Sequence, residues 1–276
     1  MVASFRRVAV LGTGLIGGSF ALALRKYSPD TIVIGWDKAH VLRHALERNA
    51  INEGFPEISL AVAGADLIYM ALPVGQTIEL LPEISRIASP DALITDASST
   101  KRAVCAVVAE TFSKQGAEFL GGHPMAGKEQ RGAEAADADL FRGRPWVLTA
   151  QGDHPVELEF RGWLGKIGAR IVILDAATHD RLVAWSSHLP QLASTALAAA
   201  LYDGQPMAAT VAGPGLVDMT RLAMSSYDLW RDILDTNQTE VAAALDTYIA
   251  KLQNLRTNFE DEFSRGADFA RTLRGS

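Results

Sequence analysis

Seven residues into the chain, the β-branched run Val8-Ala-Val-Leu11 feeds Gly12-Thr-Gly14-Leu-Ile-Gly17 and opens at once into the apolar-periodic stretch Leu15–Leu24. Each glycine answers a different steric demand: Gly12 makes a tight turn, Gly14 lets backbone approach a pyrophosphate, and Gly17 lets a helix pack closely on a strand. The N-terminus of that helix then offers unpaired N–H groups and a positive dipole end to phosphate. A second apolar run, Thr31–Trp36, ends in Asp37, twenty residues past Gly17. A carboxylate at that place suits both ribose hydroxyls of NAD and repels the 2′-phosphate of NADP, although neighbouring Lys38 weakens the repulsion. The alternative, a glycine-rich turn beside a solvated Asp, leaves the strand–loop–helix context unused.

Short β-rich runs alternate with helical stretches up to about residue 175. The expected strands are Val8–Leu11, Thr31–Trp36, Asp66–Met70, Leu93–Asp96, Glu118–Leu120, Trp146–Thr149 and Arg170–Leu174. The expected helices between them are Leu15–Lys26, Lys38–Asn49, Gln76–Ile87, Lys101–Ser113 and Val156–Ile167. Such βαβ repetition implies a mostly parallel sheet covered on both faces. Beyond residue 175 strand signals nearly vanish. Ala176–Leu201 reads as one alanine-rich helix, apolar on most sides, for the interior of a bundle or a subunit interface. Asp235–Phe263 reads as one unusually long helix. The expected fold is α/β: a Rossmann-type dinucleotide-binding domain over residues 1–175, then an all-α domain over residues 176–276.

Composition excludes several partners. A net charge of −6 argues against nucleic acid and anionic membrane surfaces. No apolar run approaches the length of about 18 residues that a spanning helix needs. The single cysteine, Cys105, cannot close an intramolecular disulfide, which fits a cytoplasmic protein. Within its helical pattern it is expected to be a small buried filler. No spacing of His and Cys marks a metal site.

Ligands of a parallel sheet bind outside the carboxyl ends of its strands, and three of the expected ends carry chemistry. The third strand leads into Ala71-Leu72-Pro73-Val74, apolar and suited to lying along a cofactor. The fourth leads into Asp96-Ala-Ser98-Ser99-Thr100-Lys101, which is expected to put hydroxyls and an amine beside the nicotinamide, or to cap the next helix. The expected cofactor contacts are therefore Gly12, Gly14, Leu15, Ile16, Gly17, Asp37, Leu72, Pro73 and Ser98. The fifth leads into Gly121-Gly-His123-Pro124, a histidine expected on a shaped loop and suited to acid–base work near neutral pH. His40, His44 and His154 fall on polar faces or loops and are expected to be solvated.

Taken in order, Gly12-x-Gly14-x-x-Gly17-Gly-Ser, Asp96-x-x-Ser99-x-Lys101, Gly122-His-Pro-Met-Ala-Gly-x-Glu129, His179-Asp180, Ser187-His-Leu-Pro190, Asp218-Met-Thr-Arg221 and Trp230-Arg-Asp232 resemble the prephenate/arogenate dehydrogenases of tyrosine biosynthesis. The resemblance runs from about residue 6 to 263. It implies a C-terminal helical domain that forms a homodimer, and NAD-dependent oxidation of a cyclohexadienol. Hydride leaves ring carbon C4 for the nicotinamide, the ring carboxylate departs as CO2, and the product is aromatic. The resemblance further implies that His123 accepts the C4 hydroxyl proton and that Ser99 hydrogen-bonds that hydroxyl or the histidine. It makes Arg221 a carboxylate clamp, Glu129 a gate of the pocket and Trp230 an aromatic contributed across the dimer.

Each of these roles has a plainer competitor: a same-turn salt bridge from Arg221 to Asp218, an exposed loop glutamate, a core tryptophan. His188 is expected to order the junction between domains or to contact substrate, and His179-Asp180 to be structural, opening a helix. Many prephenate-using members carry a second histidine where this chain has Gln191, so prephenate is the first expectation and arogenate, or both, the second. The chain is expected to carry no appended mutase segment or regulatory domain. Two other classes stand further off. A β-hydroxyacid dehydrogenase needs a Lys-x-x-x-Asn pattern, and here Lys251-Leu-Gln-Asn254 brings the asparagine one residue early. An NAD-binding redox sensor without turnover would have no use for His123, Ser99 and Arg221.

Overall fold

Side chains alternate across a strand with period two, and the central strands of this protein use that alternation to bury both faces. In the computed structural model, which describes residues 5–112, 116–128, 132–149 and 154–275, six parallel strands form one sheet. They are β1 (Arg7–Leu11), β2 (Ile32–Trp36), β3 (Glu53–Phe55), β4 (Leu67–Met70), β5 (Leu93–Asp96) and β6 (Glu118–Leu120), in the order β3-β2-β1-β4-β5-β6. Val8, Val10, Leu67, Tyr69 and Leu93 point into one core, while Ala9, Leu11, Ile68, Met70 and Ile94 point into the other. The first core is closed by α1 (Leu15–Tyr27) and α2 (Ala39–Glu47), through Phe20, Leu24 and Leu42. The second is closed by α3 (Ile58–Val62), α4 (Val74–Ile87) and α5 (Arg102–Thr111), through Val62, Leu81, Ile84 and Val104. Strand order reverses between β1 and β4, and the crevice at that reversal is where such a sheet takes its ligand. The short β3 and α3 were not expected, because three and five residues are too few to show a period.

The later strands do not extend this sheet. β7 (Gly122–Pro124), β8 (Pro145–Leu148) and β9 (Arg170–Ile173) form a second sheet in the order β7-β8-β9, antiparallel then parallel, with α6 (Pro155–Lys166) in the connection. Trp146 of β8 and Phe160, Trp163 and Leu164 of α6 pack into the first core. The partner of a strand is a long-range matter, so the βαβ rhythm alone does not tell one sheet from two.

Contacts divide the chain into two compact units, Met1–Asp180 with Tyr227–Thr236, and Arg181–Ser226 with Asn237–Ser276. No strand follows Ile173 among the described residues; the helices are α7 (Ala176–Val183), α8 (Leu189–Gly204), α9 (Pro214–Thr220), α10 (Tyr227–Thr236), α11 (Gln238–Leu255) and α12 (Phe259–Gly275). The single helix expected over Ala176–Leu201 is interrupted by a π-turn at Ala184–His188. Pro190 lies in the first turn of α8, has no N–H to donate backwards, and so favours the wider π-turn just before it, through which the helix continues. That helix is not buried on most sides within the chain, since only Leu189, Gln191 and Ser194 of α8 are buried. The helix expected over Asp235–Phe263 is also broken. Asn258 donates from Nδ2 to Asn254 Oδ1 at 2.7 Å and accepts the backbone N–H of Glu262, ending one helix and capping the next.

Within the first unit, Ile233 and Trp230 of α10 join the second core, and Asp232 rests against Gly75 at the N-terminus of α4. In the second unit Ala184, Leu189 and Ala244 form a small core, while Tyr202, Val211, Met224, Phe263 and Phe269 stand well exposed. Among the described residues no helix is long and apolar enough to cross a membrane.

Candidate active site

The loop between β1 and α1 has the shape its glycines imply. Gly12 sits at φ +89°, where an added Cβ would lie 2.4 Å from the carbonyl oxygen of Ala71. A Cβ on Gly17 would lie 1.8 Å from the carbonyl oxygen of Gly12, so helix and loop approach as only glycine permits. Gly14 faces open space. The first turn of α1 carries no side-chain cap and no acidic residue, which leaves its N–H groups for an anion. At the end of β2, Asp37 Oδ2 accepts the backbone N–H of Thr13 at 2.7 Å and Oδ1 that of Lys38 at 2.7 Å. The carboxylate is thereby fixed against the glycine loop, with lone pairs left for a diol. Leu15, Ile16 and Leu72 are half-buried and Pro73 is exposed. Loop, helix end and anchored carboxylate together fit a dinucleotide.

At the far side of β5 the fold builds a buried polar cluster. His123 lies in β7 rather than on a loop, paired in register with Val147 of β8, and is buried. Its Nδ1 lies 2.9 Å from Nε2 of His179 in α7, and His179 Nδ1 lies 2.8 Å from Asp180 Oδ1. Asp180 also accepts the backbone N–H of Lys101 at 2.7 Å and that of Arg102 at 2.9 Å. It caps α5 from a distant helix, a task expected of the Ser98–Thr100 hydroxyls. Burial pushes the Asp180 carboxyl up, but the His179 hydrogen bond and the two backbone N–H groups outweigh it and hold it below the ordinary range. His179-Asp180, expected to be a structural helix start, therefore stands in hydrogen-bond contact with the candidate base.

Lys101 departs from expectation as well. Rather than presenting an amine beside a nicotinamide, it is wholly buried, ion-paired with Asp96 and donating to the carbonyl of Gly122 at 2.7 Å. Asp96 in turn accepts the N–H of Gly122 at 2.9 Å and that of Ser98 at 3.1 Å. One ion pair thus ties the end of β5 to the start of β7 and seats the backbone beside His123. Ser98 is buried and Ser99 half-buried; Thr100 Oγ1 lies 2.7 Å from Thr236 Oγ1 of α10. Cys105 is half-buried, 3.8 Å from Thr149 Oγ1, and burial pushes its thiol up, away from nucleophilic use.

In the second unit, His188 is buried in the π-turn with Nδ1 3.3 Å from Asn237 Nδ2. Gln191 donates from Nε2 to the carbonyl of Leu222 at 2.8 Å and to Thr195 Oγ1 at 3.1 Å, and Ser194 Oγ accepts the N–H of Ala223 at 3.1 Å. Both side chains fasten α8 to the turn Arg221–Met224, on which Arg221 is exposed. Trp230 is half-buried against the second core of the first unit. Glu129 lies outside the described residues. His40, His44 and His154 are exposed, the last two near Glu47 and Glu118.

Sequence reasoning missed Asp180 as a cap, His179 as the partner of His123, and Arg48. The Arg48 guanidinium holds the carbonyls of Ala133 and Ala136 at 2.7 and 2.9 Å, pinning the segment after the His123 strand to α2. Only the adjacency of His179 and Asp180 offered a signal, and its meaning depends on α5, nearly eighty residues upstream in the chain.

Comparison with known proteins places both parts of the chain. The family described as prephenate dehydrogenase, nucleotide-binding domain, matches residues 20–173, and prephenate dehydrogenase, dimerization domain, matches residues 175–274. A prephenate dehydrogenase of Lactococcus lactis is 34% identical over 236 residues, covering 84% of this chain; the chain spans 65% of that protein's length. A cyclohexadienyl dehydrogenase of Zymomonas mobilis is 30% identical over 262 residues, covering 92% of this chain and 88% of its own. The crystal structure of prephenate dehydrogenase from A. aeolicus in complex with hydroxyphenyl propionate and NAD+ superposes with a TM-score of 0.84 at 27% identity, covering 99% of this chain and 97% of that one.

Proposed function

Because this chain belongs to the prephenate dehydrogenase family, we propose that it catalyses the NAD-dependent oxidative decarboxylation of prephenate to 4-hydroxyphenylpyruvate, in the cytoplasm and as a homodimer. The reading is carried by one observation: the buried His123, the one histidine of the Gly-His-Pro-Met motif, is seated by Gly122 and oriented through Nδ1. We divide the chain into a cofactor domain, residues 1–175, and a helical dimerisation domain, residues 176–276. The two family matches meeting between residues 173 and 175 support that division, and the exposed apolar side chains of the second unit supply surface for a second copy.

The NAD pyrophosphate takes the loop of Gly12, Gly14, Leu15, Ile16 and Gly17. Asp37 takes the adenosine ribose, and Leu72, Pro73 and Ser98 flank the nicotinamide half. Held there, NAD would supply the hydride acceptor for C4 of the substrate ring. His123 takes the proton of the C4 hydroxyl, and Ser99 holds that hydroxyl or the imidazole in line. Arg221 binds a substrate carboxylate with its planar fork. His188, Gln191, Glu129 and Trp230 complete the substrate set. Gln191 acts by bracing the Arg221 turn, as its bonds to Leu222 and Thr195 indicate.

Arogenate is the second substrate reading, favoured by the neutral Gln191 and by the cyclohexadienyl dehydrogenase relative. Following NADH absorbance with prephenate or arogenate, each with NAD or NADP, decides between them. Turnover of prephenate with NAD is expected, and loss of about 10²-fold or more in the His123→Asn variant with little change in substrate affinity. Silence of the wild type in all four assays overturns the enzyme reading, and near-normal turnover of the variant removes His123 from its role.

A further inference from the structure

We propose that His179 and Asp180 are positioning residues that set the tautomer of His123, keeping a proton on Nδ1 and the lone pair on Nε2, the atom that accepts the substrate proton. The last clause rests on the functional reading above; the tautomer itself does not.

The assignment follows by accounting for each proton. Both oxygens of Asp180 receive backbone N–H groups, from Lys101 and Arg102 at the start of α5. A carboxyl group in that position, at the positive end of a ten-residue helix, stands ionised and can only accept. The 2.8 Å contact between Asp180 Oδ1 and His179 Nδ1 is therefore an N–H donated by the histidine. A neutral imidazole protonated on Nδ1 keeps its lone pair on Nε2. That Nε2 lies 2.9 Å from His123 Nδ1, so it accepts, and His123 donates. The lone pair of His123 is left on Nε2.

The order Asp–His–His does two things for a base. It holds the ring by the nitrogen that does no chemistry, the role a buried carboxylate plays for the histidine of a hydrolase triad. When a proton moves from a substrate hydroxyl to His123 Nε2, the imidazolium keeps its Nδ1–H bond to His179. The negative charge of Asp180 stands one ring beyond. Buried Lys101 and Asp96, both tied to the Gly122 backbone, neutralise one another. Sequence adjacency of His179 and Asp180 makes the device compact, since one helix supplies both of its outer members.

The test uses the intact protein labelled with ¹⁵N-histidine and its variants, without ligand, at about pH 8, where histidines of ordinary pKa are neutral. His123, assigned by the signal missing in His123→Asn, is expected to show a protonated Nδ1 and an unprotonated Nε2. His179→Leu removes the acceptor and is expected to lower kcat by about 10²-fold while KM and NAD affinity change less than about threefold. His179→Gln, whose amide oxygen can accept from His123 Nδ1, is expected to restore at least about tenfold of that loss. A wild-type His123 protonated on Nε2 overturns the proposal, even if His123→Asn is inactive. A folded His179→Leu enzyme with full kcat overturns the positioning role. If His179→Leu does not fold, the wild-type spectrum and His179→Gln still decide. If the wild type turns over neither substrate, the functional reading falls and the tautomer is judged by the spectrum alone.

Discussion

Replacing Lys101 by methionine tests the ion pair that seats the β5–β7 junction. Methionine keeps the length of the apolar stem and deletes the charge. Both Lys101 and Asp96 are fully buried, so neither has water to fall back on. Removing one partner of a buried pair costs about 3–5 kcal/mol, chiefly because the other charge is stranded. Here Asp96 would keep two N–H donors, Gly122 at 2.9 Å and Ser98 at 3.1 Å, while the Gly122 carbonyl loses the Lys101 donor at 2.7 Å. The surviving bonds place the expected cost near the lower end, at about 3 kcal/mol. Urea unfolding followed by circular dichroism reads it as a lower midpoint at unchanged slope. Adding Asp96→Asn removes the stranded charge, so the double variant is expected to recover at least about 1 kcal/mol relative to Lys101→Met alone. A loss under about 1 kcal/mol in the single variant, or a double variant no more stable than Lys101→Met alone, would falsify the stranded-charge account.

Gly17→Ala sets a Cβ at 1.8 Å from the Gly12 carbonyl and must push loop and helix apart; NAD affinity by calorimetry should fall by at least about tenfold, about 1.4 kcal/mol, and an unchanged affinity contradicts the close-approach role. Arg221→Gln should raise KM for substrate by about tenfold or more with kcat little changed; equal losses in kcat and kcat/KM would instead make the contact specific to the transition state. The Asp180 carboxyl titrates below its ordinary value in the folded protein, so its contribution to stability is full above the unfolded value of about 3.9 and is lost as pH falls through the folded value. Acid unfolding of Asp180→Asn should accordingly show a shallower fall below about pH 4 than the wild type, and parallel curves would refute the linkage.

What could be read in advance follows the reach of each interaction. The glycine loop was legible because strand, turn, helix start and the Asp37 carboxylate that anchors the loop all fall within residues 8–37. The two-faced parallel sheet was legible from apolar runs in which both parities are buried, as in β1 and β4. His123 could be singled out from its Gly and Pro neighbours, although it proved to lie in a strand of a second sheet.

The errors share the opposite property. Lys101 after Ser-Ser-Thr reads as a side chain at a ligand's edge, and its burial depends on Asp96 and on the carbonyl of Gly122, twenty-one residues away. The π-turn at Ala184–His188 and the helix break at Arg256–Asn258 fall in patterns whose apolar period continues across them. His179 and Asp180 carry little meaning on their own helix and acquire it from α5 and β7.

Local steric and periodic constraints, each expressed within one βαβ unit or a few neighbouring residues, thus indicated the cofactor class, the parallel sheet and a candidate base. The tertiary structure alone decided which nitrogen of that base is held, which charges cancel in the interior, and where the later strands pair. Those outcomes turn on hydrogen bonds between residues 21 to 79 positions apart and on one buried ion pair between residues five apart, whose energies exist only once the core has excluded water around them.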